Sequence, residues 1–288
     1  MENEKDILVL ENQIAFDFDS IETEEEEEEV SSILPESLIK PINHDYIKDE
    51  VLFVVARVYN KNLVKDFPNL KLCGKSMLDW VLLAGNDCEQ KVVDDGENLL
   101  EKLKQIQTDK PYIALFYSDT PLLDKQTFYK IIDYFTSKGI NFLQLSRGFI
   151  VKTEYLKTMN EFAQGSSNDI AGNNLFRVES SKDLVMVSNF LYDKIINFHI
   201  KNGVIIYGQS TVFIDADVEI ESGTIIYPNN IIEGQSLIGR GAILQSGNII
   251  KNSILGDDCE VSNSYIENSK IRVGAKVPSQ SKLINEEI

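Results

Sequence analysis

From Ile214 the chain carries an aliphatic residue at every sixth position: Ile214, Ile220, Ile226, Ile232, Ile238, Leu244 and Ile250. Four residues beyond the first six of these lie Val218, Thr224, Asn230, Ser236, Ala242 and Asn248, all small or medium in size. Gly or an acid often follows the aliphatic, as in Ile238-Gly239. This period predicts one short flat strand per six residues and three strands per triangular coil of a parallel β-helix, with each aliphatic filling an interior corner. The register shortens to five at Leu255, resumes at Val261 and slips again near Ile266, before Val273-Gly-Ala-Lys-Val277. About four coils fit between Val204 and Val277.

Upstream the pattern changes. Val51 to Val58 (VLFVVARV) and Tyr112 to Tyr117 (YIALFY) are continuous apolar runs of strand length, as expected for strands buried on both faces. Between them Met77, Trp80 and Val81, then Leu99, Leu100, Leu103 and Ile106, follow helical spacing. Phe128, Ile131, Ile132 and Phe135 form an i, i+3, i+4, i+7 stripe with Asp124 as its N-cap. Gly148 to Lys152 is a further strand, and a last helix from about Asp183 to Ile200 stops at Asn202-Gly203. This alternation predicts an α/β domain with a parallel sheet whose site lies at the carboxyl ends of its strands. Asp119, in Tyr117-Ser-Asp-Thr-Pro-Leu-Leu123, sits at such an end; the turn alone reads as a strand end before a helix cap.

At 288 residues and 43% hydrophobic content, the chain is long and apolar enough for two modest domains. Its net charge of −18 is concentrated at the start, where residues 1 to 50 hold 17 Asp and Glu against 3 Lys. The run Glu22 to Val30 repels itself and has no apolar face, which predicts a disordered tail, either solvating or a docking arm for a basic partner. The preceding Asp6 to Asp19 stretch reads as a strand pair or as loose chain. Such acidity argues against nucleic acid as a partner. No apolar run reaches membrane-spanning length, and the N-terminus is acidic where a secretory signal is basic, so a cytoplasmic protein with no membrane contact is expected. Cys73, Cys88 and Cys259 lack CxxC spacing and read as reduced thiols, with Cys259 at a small, buried hexad position.

The α/β pattern, the Asp119-Thr-Pro-Leu-Leu123 turn, and a helix running into HIKNGVIIYGQSTVFIDADVEIESGTIIYPNNIIEG (His199 to Gly234) resemble the bifunctional GlmU family. The match in wording, order and spacing runs from His199 to about Leu255, with Gly208-Gln209 where that family has Asp-Pro. After the acidic tail, taken as residues 1–45, the resemblance implies a Rossmann-like nucleotide-diphospho-sugar transferase domain at 46–182, a linker helix at 183–203 and a short left-handed β-helix at 204–288. It implies Mg²⁺-dependent transfer of a uridylyl group from UTP to N-acetylglucosamine 1-phosphate, releasing pyrophosphate. The nucleoside triphosphate and the sugar 1-phosphate are then the small-molecule partners, and a homotrimer through the β-helix is the expected assembly. The longer β-helix of full-length members acetylates glucosamine 1-phosphate. Here the only histidines, His44 and His199, precede the coils, so acetyl transfer is not expected.

Aligned on the family's LVLYGDTPLL, Asp119 falls on the Mg²⁺-binding aspartate and Ser118 replaces the glycine before it. Glu179 stands where the second metal ligand, an asparagine, would be. A hard cation takes oxygen ligands, and a carboxylate beyond a strand end can meet metal and phosphates together. The nucleotide loop departs: in place of LAAGxGTRM the chain reads Val54-Val-Ala-Arg-Val-Tyr-Asn60, without the glycines that let successive N–H groups curl around phosphate. Charge is the expected substitute, since Arg57, Lys61, Lys65, Lys71 and Lys75 oppose only Asp66 between Val51 and Leu78. In that reading Lys71 and Arg57 are catalytic, Lys65, Gly74, Lys75 and Ser118 contact substrate, and Asp119 and Glu179 hold Mg²⁺; otherwise the lysines are solvated surface residues. The uracil-holding QLGTGHA has no counterpart between Gln90 and Gln107, and Thr120 to Val178 is shorter than the family's sugar-pocket segment. Two functions are therefore open: a shortened sugar-1-phosphate nucleotidyltransferase, or a pseudoenzyme that binds a nucleotide sugar or serves assembly.

Overall fold

The computed structural model describes residues 45–59, 70–162 and 170–288. The acidic tail, Lys61 and Lys65 lie outside these residues. In chain order come α1 (Asp45–Glu50), β1 (Val51–Arg57), β2 (Lys71–Leu72), β3 (Lys75–Ser76), α2 (Met77–Ala84), β4 (Glu89–Asp94) and α3 (Leu99–Lys104). They are followed by β5 (Tyr112–Tyr117), α4 (Lys125–Lys138), β6 (Phe142–Leu145), β7 (Gly148–Lys152), α5 (Thr153–Thr158) and α6 (Ser181–Lys201).

Five strands form one sheet in the order β4-β1-β5-β7-β6. β1 is parallel to β4 and β5, whereas β7 runs antiparallel to β5 and β6. The sheet is thus mixed, which corrects the all-parallel expectation. Leu145 pairs with Gly148, so only Ser146 and Arg147 separate β6 from β7, and a two-residue connection permits only a hairpin. β4 escapes a search for apolar runs because it is an edge strand, EQKVVD, with no fully buried residue.

Both faces of β1 are covered, which is why its run is unbroken. Phe53 and Val55 join Phe116 and the α4 stripe, Phe128, Ile131, Ile132 and Phe135, while Leu52, Val54 and Ala56 join Leu115 and the α3 leucines. Phe53 stacks on Phe116 at 5.3 Å and meets Phe128 edge-on at 5.0 Å. Asp124 caps α4 by accepting from Thr127 N at 2.9 Å, and Gly139 ends it in the left-handed conformation. α6 starts two residues earlier than the apolar pattern suggests, because Ser180 and Asp183 form a capping box.

α6 joins the two halves of the described chain. Val187 and Leu191 pack with Val58, Leu72, Met77 and Leu122, and one turn further on Ile196 packs into the coil core. Beyond it, short strands from Ile205–Ile206 to Lys282–Ile284 stack in parallel ladders of five, five and four, making four complete coils of a left-handed β-helix and two further strands. Ile214, Ile226, Ile232, Ile238, Leu244, Ile250, Leu255, Val261 and Ile266 all fill its interior, as the six-residue period requires. Glu219 pairs with Leu237, Leu237 with Ile254 and Ile254 with Lys270, so successive coils shorten by a residue. That shortening puts Ile271 inside and leaves Val273, beyond the slip near Ile266, 70% exposed.

The small residues of the hexads are also interior, and the polar ones are paired. Asn248 Nδ2 donates to Asn230 Oδ1 at 2.9 Å and to the Gln245 carbonyl, while its Oδ1 accepts from Ser264 N at 3.0 Å. Asn248→Ala leaves Ser264 N buried without a partner and Asn230 Oδ1 without its amide donor, and is expected to cost about 2 kcal/mol in urea unfolding. A loss within about 0.5 kcal/mol of wild type would show that water replaces the amide. The cysteines form no disulfide; burial raises the thiol pKa of Cys73 to about 12 and those of Cys88 and Cys259 to about 11. No described helix is long and apolar enough to cross a membrane.

Candidate functional site

The carboxyl ends of β1 and β5 gather most of the polar side chains on which the sequence reading rests. Ser118 N donates to Ala56 O, extending the ladder by one step, and Ser118 Oγ accepts from Val58 N at 2.9 Å. The Ser118 side chain is buried and clasps the exit of β1, so it is committed to backbone. The chain then turns, with Thr120 donating to the Tyr117 carbonyl from both its N–H and its hydroxyl. Asp119 is left pointing into the protein at 1% exposure.

Its carboxylate is fully engaged. Arg147 Nε donates to Oδ1 at 3.0 Å and Arg147 Nη2 to Oδ2 at 2.8 Å, a two-pronged pair, and Arg177 Nε donates to Oδ2 at 3.0 Å. Arg147 is delivered by the two-residue turn between β6 and β7, and its guanidinium lies 3.6 Å from the Tyr117 ring centroid. The ring's π-face and the carboxylate hold it from two sides. Arg177 is fixed by its own backbone neighbourhood, since Val178 N donates to the Asp119 carbonyl at 2.9 Å, and its Nη1 reaches Glu179 Oε1 at 2.6 Å. Asp119 and Glu179 are therefore brought together, but through the Arg177 guanidinium between them.

This arrangement does not fit Mg²⁺. Both oxygens of Asp119 accept hydrogen bonds from cations, three guanidinium nitrogens in all, and Glu179 faces a fourth. Among the described residues no three His, Cys, Asp or Glu side chains cluster to hold a metal ion. The positive charge that a divalent ion would bring to this strand end is supplied by arginine. Neither arginine was singled out from the sequence. The available signals were a basic residue directly before the glycine of a strand, Arg147-Gly148, and one two positions before Glu179.

The basic block divides. Arg57 remains at the strand ends, donating to Tyr59 Oη at 3.4 Å and facing Asp94 Oδ1 at 3.8 Å, with both ion-pair partners well exposed. Lys71 is exposed on β2, and Lys75 pairs with Asp217 in the first coil. Cys73 and Gly74 form the tight turn of the β2–β3 hairpin at φ +49° and +84°, a shape that favours glycine at the second position. A Cβ at Gly74 would lie 2.8 Å from the Asp215 side chain, and Ala216 N donates to the Cys73 carbonyl at 3.0 Å. Gly74 and Lys75 thus dock the hairpin onto the acidic corner Asp215-Ala-Asp217.

No family model matches the chain. Among curated proteins, the bifunctional protein GlmU of Clostridium botulinum (strain Eklund 17B / Type B) is 39% identical over 94 residues, 33% of this chain and 21% of that protein. GlmU of Thermodesulfovibrio yellowstonii is 26% identical over 224 residues, 72% of this chain and 47% of that protein. GlmU of Streptococcus agalactiae serotype V is 26% identical over 205 residues, 67% of this chain and 36% of that protein. The chain thus spans less than half the length of each relative. The solved structure of Rv0371c from Mycobacterium tuberculosis H37Rv aligns over 48% of the chain at 13% identity and a TM-score of 0.35, too loose a likeness to bear on the fold. With a mixed α/β sheet, a bridging helix and a left-handed β-helix in that order, this chain is similar to GlmU proteins over 67–72% of its length at 26% identity.

Proposed function

We propose that the chain is a catalytically inactive GlmU-like protein, in which the α/β domain has given up metal-dependent nucleotidyl transfer and the coils serve assembly. The observation that carries this reading is the engagement of Asp119 by Arg147 and Arg177, which uses the carboxylate that a Mg²⁺-dependent transfer would need. The absence of glycines from Val54 to Tyr59 supports it, since β1 runs straight through Arg57 where a phosphate-cradling loop would begin. Purified protein incubated with UTP, Mg²⁺ and N-acetylglucosamine 1-phosphate is expected to release no more pyrophosphate than the Asp119→Ala variant. Release that depends on Asp119 would overturn the reading. For the coils a homotrimer is proposed, and sedimentation showing a monomer at micromolar concentration would count against it.

A second reading keeps the enzyme. Asp119 lies at the carboxyl end of a central strand, where α/β sheets place their ligands, and the relatives carry the GlmU name. Uridylyl transfer would then require Arg147 and Arg177 to leave the Asp119 carboxylate, so that Asp119 and Glu179 could hold Mg²⁺, which would supply charge neutralisation for the triphosphate. Arg177, with its side chain 47% exposed, is free enough in space to do so, whereas Arg147 is wedged against Tyr117. Mg²⁺-dependent thermal stabilisation by UTP, lost in Asp119→Ala, would favour this reading.

A further inference from the structure

A concave pocket of about 400 Å³ opens where α2, the Pro121–Asp124 turn, α6 and the first coil meet. Its walls are Trp80, Leu83, Leu122, Leu191, Phe198 and Val218, and its size is that of sites for small organic ligands. Trp80 is fixed in place by its Nε1, which donates to the Leu72 carbonyl at 2.8 Å. Lys75 and Lys194 stand at the lining, each paired with a carboxylate that also lines it, Asp217 and Asp124, so their charges cancel.

His199 supplies the remaining polar group. Its side chain lines the pocket at only 3% exposure, and among the described residues its imidazole makes no hydrogen bond or ion pair. Burial alone acts on its basicity and holds its pKa below the ordinary histidine value. At neutral pH the ring is therefore uncharged, with one N–H donor and one acceptor nitrogen. No buried side-chain nitrogen or oxygen among the described residues lacks a hydrogen-bond partner, so the imidazole nitrogens keep contact with solvent, and a ligand that covers them must offer a hydrogen bond in return.

We propose that this pocket is a small-molecule site for an uncharged, largely apolar ligand bearing one hydroxyl or amide group, which hydrogen-bonds to the His199 imidazole. An anion finds both lysines already paired, and a purely apolar ligand leaves the imidazole unsatisfied. The pocket includes neither Asp119 nor Arg147, so its test is separate from the pyrophosphate assay.

The test uses the full-length protein labelled with ¹⁵N. Trp80 is the single tryptophan, so one indole N–H signal reports on the pocket, and only two histidines contribute imidazole signals. The probes are 2-naphthol, naphthalene and 2-naphthoate. 2-Naphthol is expected to shift the Trp80 and His199 signals saturably, binding about fivefold more tightly than naphthalene, as one net hydrogen bond allows. 2-Naphthoate should bind no more tightly than naphthalene. His199→Phe should keep naphthalene binding and abolish the preference for 2-naphthol. Phe198→Ala, at an exposed side chain whose loss leaves the core intact, should weaken both neutral probes about fivefold. The proposal is overturned if neither neutral probe shifts Trp80 saturably, if 2-naphthoate binds best, or if 2-naphthol binding leaves the His199 signal unmoved. The last criterion holds even should His199→Phe fail to fold.

Discussion

Replacing Asp119 with alanine is expected to lower the unfolding free energy by about 3 kcal/mol, a loss read from urea denaturation of the purified variant. The carboxylate is buried and accepts from three guanidinium nitrogens. Without it, Arg147 stays packed on Tyr117 with its charge unbalanced, which is the costly way to break a buried pair. The figure sits at the low end of the range for such pairs because Arg177 is half exposed and can return to water. A conventional metal-binding aspartate would behave in the opposite sense, since removing one carboxylate from a cluster that repels itself leaves stability unchanged or improved. A loss below about 1 kcal/mol would therefore sink the structural reading of Asp119.

The second large effect is expected at Gly148, where alanine should also cost about 3 kcal/mol. Gly148 adopts φ +127°, a region that L-residues with a side chain rarely enter, and an added Cβ would lie 2.4 Å from the Leu115 carbonyl oxygen. That oxygen belongs to the backbone of a central strand and cannot swing aside. Relief requires β7 to part from β5, loosening the pairs Leu115–Phe149 and Ala114–Ile150. Arg147 precedes Gly148 in the turn, so the same substitution should displace the guanidinium from Asp119. Thermal unfolding measures the first consequence, and the second appears as non-additivity: in the Gly148→Ala background, Asp119→Ala should cost clearly less than it does alone. Equal costs in both backgrounds would show that the turn does not position Arg147.

The proposals for Asp119 and for the His199 pocket rest on one architectural fact. GlmU-like order along the chain does not decide which side chains meet at the strand ends, because the same fold supports different sites. The hairpin of β6 and β7 brings in an arginine, the β2–β3 hairpin spends its lysine and glycine on the first coil, and α6 runs between them, closing an apolar pocket.

How far each feature was legible follows from how local its cause is. The coils could be read because an interior corner every six residues leaves its mark within any short window, and the aliphatics at Ile226, Ile232 and Ile238 are buried as the period demands. The buried strands β1 and β5 and the α4 stripe were legible for the same reason, since burial on two faces or on one helical face sets a short-range pattern. Asp119 could be placed at a strand end from the residues around it. Its partners could not, for Arg147 and Arg177 lie 28 and 58 positions away, and Lys75 meets Asp217 across 142. Periodicity records which side of an element faces the core, whereas the pairing of charges depends on where distant turns are carried when the elements pack. Tertiary contact thus turned an expected metal ligand into the centre of an arginine clamp, and a histidine near the end of a helix into the one unpaired polar group of a pocket.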